Sequence, residues 1–90
     1  MPRTITVQEI DSTTFKVTVS KDGSATEHRV AVNPGYARKL AGDKEQVTEL
    51  IRRSFDFLLE REPKEAILKK FDLSVIQKYF PEYEEEIRRM

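Results

Sequence analysis

Apolar and polar positions alternate with a period of two over the first third of the chain, then switch to a helical period. Residues 3–10 (RTITVQEI) set Ile5 and Val7 on one face and Thr4, Thr6 and Gln8 on the other. Residues 14–20 (TFKVTVS) turn Phe15, Val17 and Val19 inward, and residues 25–32 (ATEHRVAV) return as a third strand. Lys21-Asp22-Gly23-Ser24 lies between the last two, and Asp-Gly favours a tight hairpin because both residues tolerate positive φ. With Asp22 and Gly23 as the loop, Val19 faces Thr26, Val17 faces His28 and Phe15 faces Val30, all on the face that Val32 extends. The same register sets Lys16 against Arg29 on the solvent face, a conflict that the diagonal Glu27 relieves. In the first hairpin a two-residue loop at Ser12-Thr13 turns Ile5 and Val7 outward. A three-residue connection, Asp11-Ser12-Thr13, pairs Val7 with Val17 and Ile5 with Val19, and it is the preferred solution, with a bulge near Ile10.

The helical period is strongest between Asp43 and Pro63. Val47, Leu50, Ile51, Ser54, Phe55, Leu58 and Leu59 share one face, and Phe57 widens it. Asp43 is placed to cap the first free N–H groups, Gln46 three residues on completes a capping box, and Pro63 ends the run. Before it, Asn33-Pro34 reads as an N-cap and first helical residue of a short helix through Tyr36, Ala37 and Leu40, ending at Gly42. After it, Pro63 opens a helix carrying Ile67, Leu68 and Phe71. Asp72 or Ser74 caps a turn holding Leu73, Ile76, Tyr79 and Phe80, and Pro81 starts the last turns with Tyr83 and Ile87 four apart.

These elements predict an α+β fold in one domain, residues 1–90. Residues 1–33 form a three-stranded antiparallel meander in the order 1-2-3. Residues 34–90 supply a short helix, one long amphipathic helix and short C-terminal helices, packed as one layer on the sheet. The final helices are expected to wrap the far side of the long one, whose apolar stripe is too broad for the sheet alone to cover.

Composition narrows the functional classes. The chain has 90 residues, 36% of them charged, and no apolar run near the roughly 18 residues of a spanning helix. The N-terminus enters the alternating pattern at once, so no signal peptide is expected and the cytoplasm is the expected location. Cysteine is absent, which removes disulfides, thiolate catalysis and Cys-ligated metals. Sixteen basic and sixteen acidic residues are spread evenly, with no basic arm of the kind that marks nucleic-acid binders.

No constellation for catalysis emerges. His28, the single histidine, falls on the core face and reads as a buried, hydrogen-bonded structural residue. The alternative, a general base beside a carboxylate, requires a cleft around it. The serines and threonines lack a base placed by sequence, and Gly23, Gly35 and Gly42 form no phosphate loop. No catalytic residue, cofactor or metal site is assigned. Arg52 and Arg53 have Glu49 and Asp56 as partners at helical spacing, and only Lys69 of the Lys69-Lys70 pair has a carboxylate, Glu65, four residues before it. Glu82, Glu84, Glu85 and Glu86 suit a helix start, with Arg88 and Arg89 four residues after Glu84 and Glu85.

The stretch Phe71–Ile87 is the most distinctive, interleaving Phe71, Tyr79, Phe80 and Tyr83 with Leu73, Val75, Ile76 and Ile87. These side chains either cap the long helix or leave Tyr79, Phe80 and Tyr83 as a partly exposed patch for a partner. LLEREP followed by ILKKFDLSVIQKYFPEYEEEI resembles the C-terminal half of a family of small uncharacterised bacterial proteins. The resemblance implies a bacterial cytosolic protein and carries over no activity and no site residue.

The expected function is a small non-enzymatic interaction module, acting on a protein partner or a second copy of itself through Tyr79, Phe80 and Tyr83 or through an open sheet edge. The alternative is a nucleic-acid-binding or antitoxin-like regulatory protein, which requires Arg38, Lys39, Arg52, Arg53, Lys69 and Lys70 to converge on one face.

Overall fold

The period-two segments form a sheet, and the helical segments pack on its apolar face. A computed structural model of the chain describes residues 3–41 and 47–89. Strands β1 (Thr4–Asp11), β2 (Thr14–Lys21) and β3 (Ser24–Ala31) precede helices α1 (Pro34–Ala41) and α2 (Val47–Leu59). A 3-10 turn (Lys64–Ala66), strand β4 (Lys70–Asp72) and helices α3 (Val75–Tyr79) and α4 (Tyr83–Arg89) complete the order.

Both hairpins adopt the registers that the side-chain alternation requires. Ile5 pairs with Val19 and Val7 with Val17, and the register shifts between Glu9 and Asp11, so the bulge absorbs Ile10. The Asp11 Oδ1 accepts from the Thr13 N–H at 2.9 Å, closing the connection. In the second hairpin Val17 pairs with His28 and Phe15 with Val30. Asp22 and Gly23 take φ of 56° and 82°, the pair of positive values that a two-residue turn needs to follow the strand twist. Lys16 does face Arg29, and the Glu27 carboxylate reaches the Lys16 Nζ at 3.0 Å to offset the repulsion.

The sheet has four strands in the order β1-β2-β3-β4, one more than the sequence pattern predicts. β4 lies parallel to β3, pairing Val30 with Phe71 and Arg29 with Lys70. The helix expected after Pro63 is therefore a single 3-10 turn followed by a strand. Ile67, Leu68 and Phe71 fit a helical face, but Phe71 and Leu73 also fit a strand, and the open side of β3 decides between them. The Arg29 N–H donates to the Lys69 carbonyl at 2.7 Å, and the Leu73 N–H to the Ala31 carbonyl at 2.9 Å. A short isolated helix offers no comparable satisfaction of the β3 backbone. Of the two open edges expected for the meander, β1 alone remains open over its full length among the described residues.

α1 is capped as expected: the Asn33 Oδ1 accepts from the N–H of Gly35 at 2.8 Å and of Tyr36 at 3.3 Å. The end of α1 at Gly42 and the capping box of Asp43 and Gln46 lie outside the described residues. In α2 the buried positions are Leu50, Ile51, Ser54, Phe55, Phe57 and Leu58, with Val47 and Leu59 half-buried at its ends. The sheet covers one side of this stripe through Phe15, Val17, Val19 and Val30. Leu73, Ile76, Tyr83 and Ile87 of the C-terminal segment cover the other. Arg3 ties the open strand to the helix, its Nη2 lying 3.1 Å from the Asp56 carboxylate.

Candidate functional site

The three aromatic residues singled out in the C-terminal stretch have three different environments. Tyr83 is fully buried, so it leaves the candidate patch and belongs to the core. Its ring meets Phe57 edge-on at 5.2 Å between centroids, and its hydroxyl lies 2.6 Å from the Ser54 Oγ. Because the Ser54 hydroxyl donates to the Leu50 carbonyl at 2.8 Å, Tyr83 is the donor and Ser54 the acceptor between them. The polar position in the α2 stripe thus exists to receive this hydroxyl. A serine inside an apolar face was the visible signal, although only the fold reveals its partner. Burial pushes the Tyr83 phenol pKa up, so it stays protonated as a donor.

Phe80 is half-buried against Phe57, at 5.9 Å and nearly perpendicular. The Arg61 guanidinium lies 3.6 Å from the Phe57 ring centroid and 3.4 Å from the Glu82 carboxylate, closing this end of the core. Tyr79 is 67% exposed. It stands on the wall of a groove of about 350 Å³ between the end of α2, β4 and α3. Leu58, Ile67, Phe71 and Ile76 are buried residues at its base, while Tyr79, Phe80 and Leu68, the last 48% exposed, line its open side. The helical period places Leu68 on a helix face. The strand places it outside instead, just ahead of the alternation that buries Phe71 and Leu73. Among the described residues Glu62 is the one acidic or basic group on the groove wall, and burial alone raises its carboxyl pKa. The described residues of the groove offer a largely apolar surface with the Glu62 carboxyl at its wall.

His28 is 1% exposed, which removes it as a general base with a cleft of its own. Its Nδ1 lies 2.8 Å from the Leu68 carbonyl, which can only accept, so the proton sits on Nδ1. Nε2 therefore accepts from the Thr26 hydroxyl at 2.8 Å. Burial lowers the His28 pKa, and nearby Lys69 adds to this, while the Leu68 carbonyl works in the opposite direction. The ring is a clamp that holds the chain entering β4 onto β3, tilted against Phe55 at 5.3 Å.

The six basic residues named for a polyanion surface are divided among separate elements. Lys39 on α1 pairs with Glu84 at 3.5 Å and Arg52 on α2 with Glu49 at 3.1 Å, while Arg38 and Arg53 lie on the same two helices. Asp56, expected to serve the α2 arginines, is engaged by Arg3. Lys69 and Lys70 are exposed at β4. The sheet does assemble a different basic row on its helix-free face. Lys16, Arg29 and Lys70 stand side by side across β2, β3 and β4. The Lys16–Arg29 part of this row was legible from hairpin register, but Lys70 joined only through β4.

The C-terminal carboxylates serve the fold. Glu84 accepts from the Tyr36 hydroxyl at 2.9 Å, Glu82 meets Arg61, and Glu85 bonds Arg89 one turn on. Among the described residues no cluster of histidine, aspartate and glutamate is arranged to hold a metal ion. Among them, too, no helix is long and apolar enough to cross a membrane. Set against protein-family models, curated proteins and solved structures, the chain matches none.

Proposed function

We propose that the protein is a small non-enzymatic interaction module whose groove beside β4 receives an amphipathic helical segment of a protein partner. One observation carries the reading: Tyr79 and Leu68 are left in solvent around an apolar groove of about 350 Å³ whose wall holds one carboxylate, Glu62. Exposed apolar side chains that join into a patch beside a groove mark interaction sites, and tyrosine is favoured at such interfaces. A helix laid in a groove inserts apolar anchors at helical spacing. The Glu62 carboxylate selects a segment with a lysine or arginine beside those anchors, because an unpaired carboxylate covered by an apolar partner is penalised.

The test uses two synthetic helical peptides with the same leucine stripe, one flanked by lysines and the other by glutamates. They are titrated into isotope-labelled protein and followed by amide NMR. The lysine peptide is expected to shift the signals of Leu68, Phe71 and Tyr79, and to bind several-fold more weakly to Glu62→Gln and Tyr79→Ala. Equal binding of both peptides, or shifts elsewhere on the molecule, would overturn the reading.

A second reading, nucleic-acid binding, draws on the Lys16–Arg29–Lys70 row across the open sheet face. It predicts binding to a labelled oligonucleotide that weakens steeply with salt and is lost in Arg29→Ala/Lys70→Ala. Capture from host lysate with and without nuclease separates the two readings.

A further inference from the structure

We infer that two copies of the chain pair through β1, antiparallel about a two-fold axis at Thr6, to form one continuous eight-stranded sheet. The inference concerns the sheet edge opposite the groove and is independent of the partner proposed for it.

The two ends of the sheet are unequal. β4 is a three-residue strand and offers little backbone to a neighbour, whereas β1 runs for eight residues. Edge strands in proteins that stay monomeric are commonly protected by lysine, proline or an inward charge. The central residues of β1, Thr4 to Gln8, carry none of these, since Arg3, which holds Asp56 of its own copy, and the bulge at Ile10 stand at the two ends of this stretch. Ile5 and Val7 lie on the core face yet remain half-exposed at the boundary of the sheet.

The direction of the unused backbone groups follows from the ladder. The Arg29 N–H is turned toward β4, where it meets the Lys69 carbonyl. Peptide groups alternate sides along an antiparallel strand, so those of Lys16, opposite Arg29, are turned toward β1. Gln8 pairs with Lys16, and Thr6 and Thr4 follow in phase, so their groups are used within the protomer. The N–H and C=O groups of Ile5 and Val7 therefore point out of the open edge.

A two-fold axis perpendicular to the sheet keeps both core faces on the same side, which requires paired residues of the same face. Centring it on Thr6 sets Ile5 against Val7, Thr4 against Gln8 and Arg3 against Glu9 of the other copy. Every pair is then compatible. Aliphatic meets aliphatic on the core side, polar meets polar on the solvent side, and opposite charges meet at the ends. Ile5 and Val7, whose backbone groups are free, form the hydrogen-bonded pairs. A shift of the axis to Ile5 sets Arg3 against Val7, and a shift to Val7 sets Ile5 against Glu9. The centred register is the self-complementary one, as an isologous interface demands. The β4 edges and both grooves remain outside, at the two ends of the assembly.

The absence of cysteine gives a clean test. Thr6 meets its own symmetry mate in a non-hydrogen-bonded pair, where Cα atoms approach to about 4.5 Å, within disulfide range. Under mild oxidation Thr6→Cys is expected to cross-link nearly completely at low micromolar protein. Thr18→Cys, one strand further in on the same face, is expected to remain monomeric on a denaturing gel. Sedimentation equilibrium of the unmodified chain is expected to give twice the 10.5 kDa chain mass. Thr6→Lys, at an exposed position, sets two ammonium groups opposite each other and is expected to weaken the dimer at least tenfold while circular dichroism is unchanged. A chain that sediments as a monomer at several hundred micromolar, or a dimer in which Thr6→Cys and Thr18→Cys cross-link equally, overturns the inference.

Discussion

The buried relay from Tyr83 through Ser54 to Leu50 makes a quantitative prediction about which side of a hydrogen bond matters more. Tyr83 and Ser54 are both 0% exposed, and the Tyr83 hydroxyl donates to Ser54 at 2.6 Å. Tyr83→Phe removes the donor and leaves Ser54 donating to Leu50, so it forfeits one net hydrogen bond, about 0.5–1.5 kcal/mol. Ser54→Ala instead leaves a phenol hydroxyl buried without an acceptor, at a cost of about 1–3 kcal/mol. Alanine recovers a few tenths of a kcal/mol through its better helix propensity within α2. The double variant removes both polar groups and strands neither, so it should cost less than the sum of the single changes by about 1 kcal/mol or more. Urea denaturation followed by far-ultraviolet circular dichroism measures all three, and 1 kcal/mol corresponds to roughly 4–8 °C in Tm for a domain of this size. Strict additivity, or Ser54→Ala costing less than Tyr83→Phe, would refute the assigned direction of donation and the burial on which it rests.

Three further outcomes follow from named groups. His28 has a native pKa below its ordinary 6.5, chiefly through burial, so the unfolded chain takes up a proton that the native state does not. This contribution to stability is fully present above pH 6.5 and is lost as pH falls through the native pKa, with a slope of at most about 1.4 kcal/mol per pH unit. Denaturation midpoints between about pH 7 and 5 should show that slope, and His28→Phe should flatten it. Gly23→Ala places a Cβ at φ 82°, where open space surrounds it, so the cost is conformational, about 1 kcal/mol by thermal melting. Gly35→Ala, at a residue without positive φ, lacks that penalty but sets a Cβ 3.1 Å from the Asn33 Oδ1, so its cost falls on the α1 cap instead. Asn33→Ala frees the Gly35 and Tyr36 N–H groups and should cost about 1 kcal/mol, with hydrogen exchange accelerating in the first turn of α1.

The first half of the fold was legible because local rules and side-chain alternation agree. Asp22-Gly23 favours a tight two-residue turn, and a one-residue slip there would set Val30 and His28 on the face opposite Val17 and Val19. The same argument placed the bulge at Ile10, the Lys16–Glu27 contact and the side of His28 that faces the core. The α2 stripe was equally plain, since its period sets the buried face whatever covers it. Residues 64–72 were not legible. Ile67, Leu68 and Phe71 satisfy a helical period while Ile67, Phe71 and Leu73 satisfy a strand alternation, and a run this short has no cooperative preference of its own.

By itself, then, the sequence determined the three-stranded meander, both hairpin registers, the amphipathic helix and its buried face. In each of these the deciding interactions lie within a few residues or across a single turn. Tertiary structure decided what depends on distant partners. The open side of β3 converted 70–72 into a strand, and His28 secured it through the Leu68 carbonyl forty positions away. Ser54 drew Tyr83 out of the aromatic patch and into the core, leaving Tyr79 and Leu68 to define the groove. Lys70 came to rest beside Arg29, away from the α2 arginines. A chain's local pattern fixes which face of each element is apolar. Only the packing of elements settles which polar groups find partners and which apolar side chains remain uncovered.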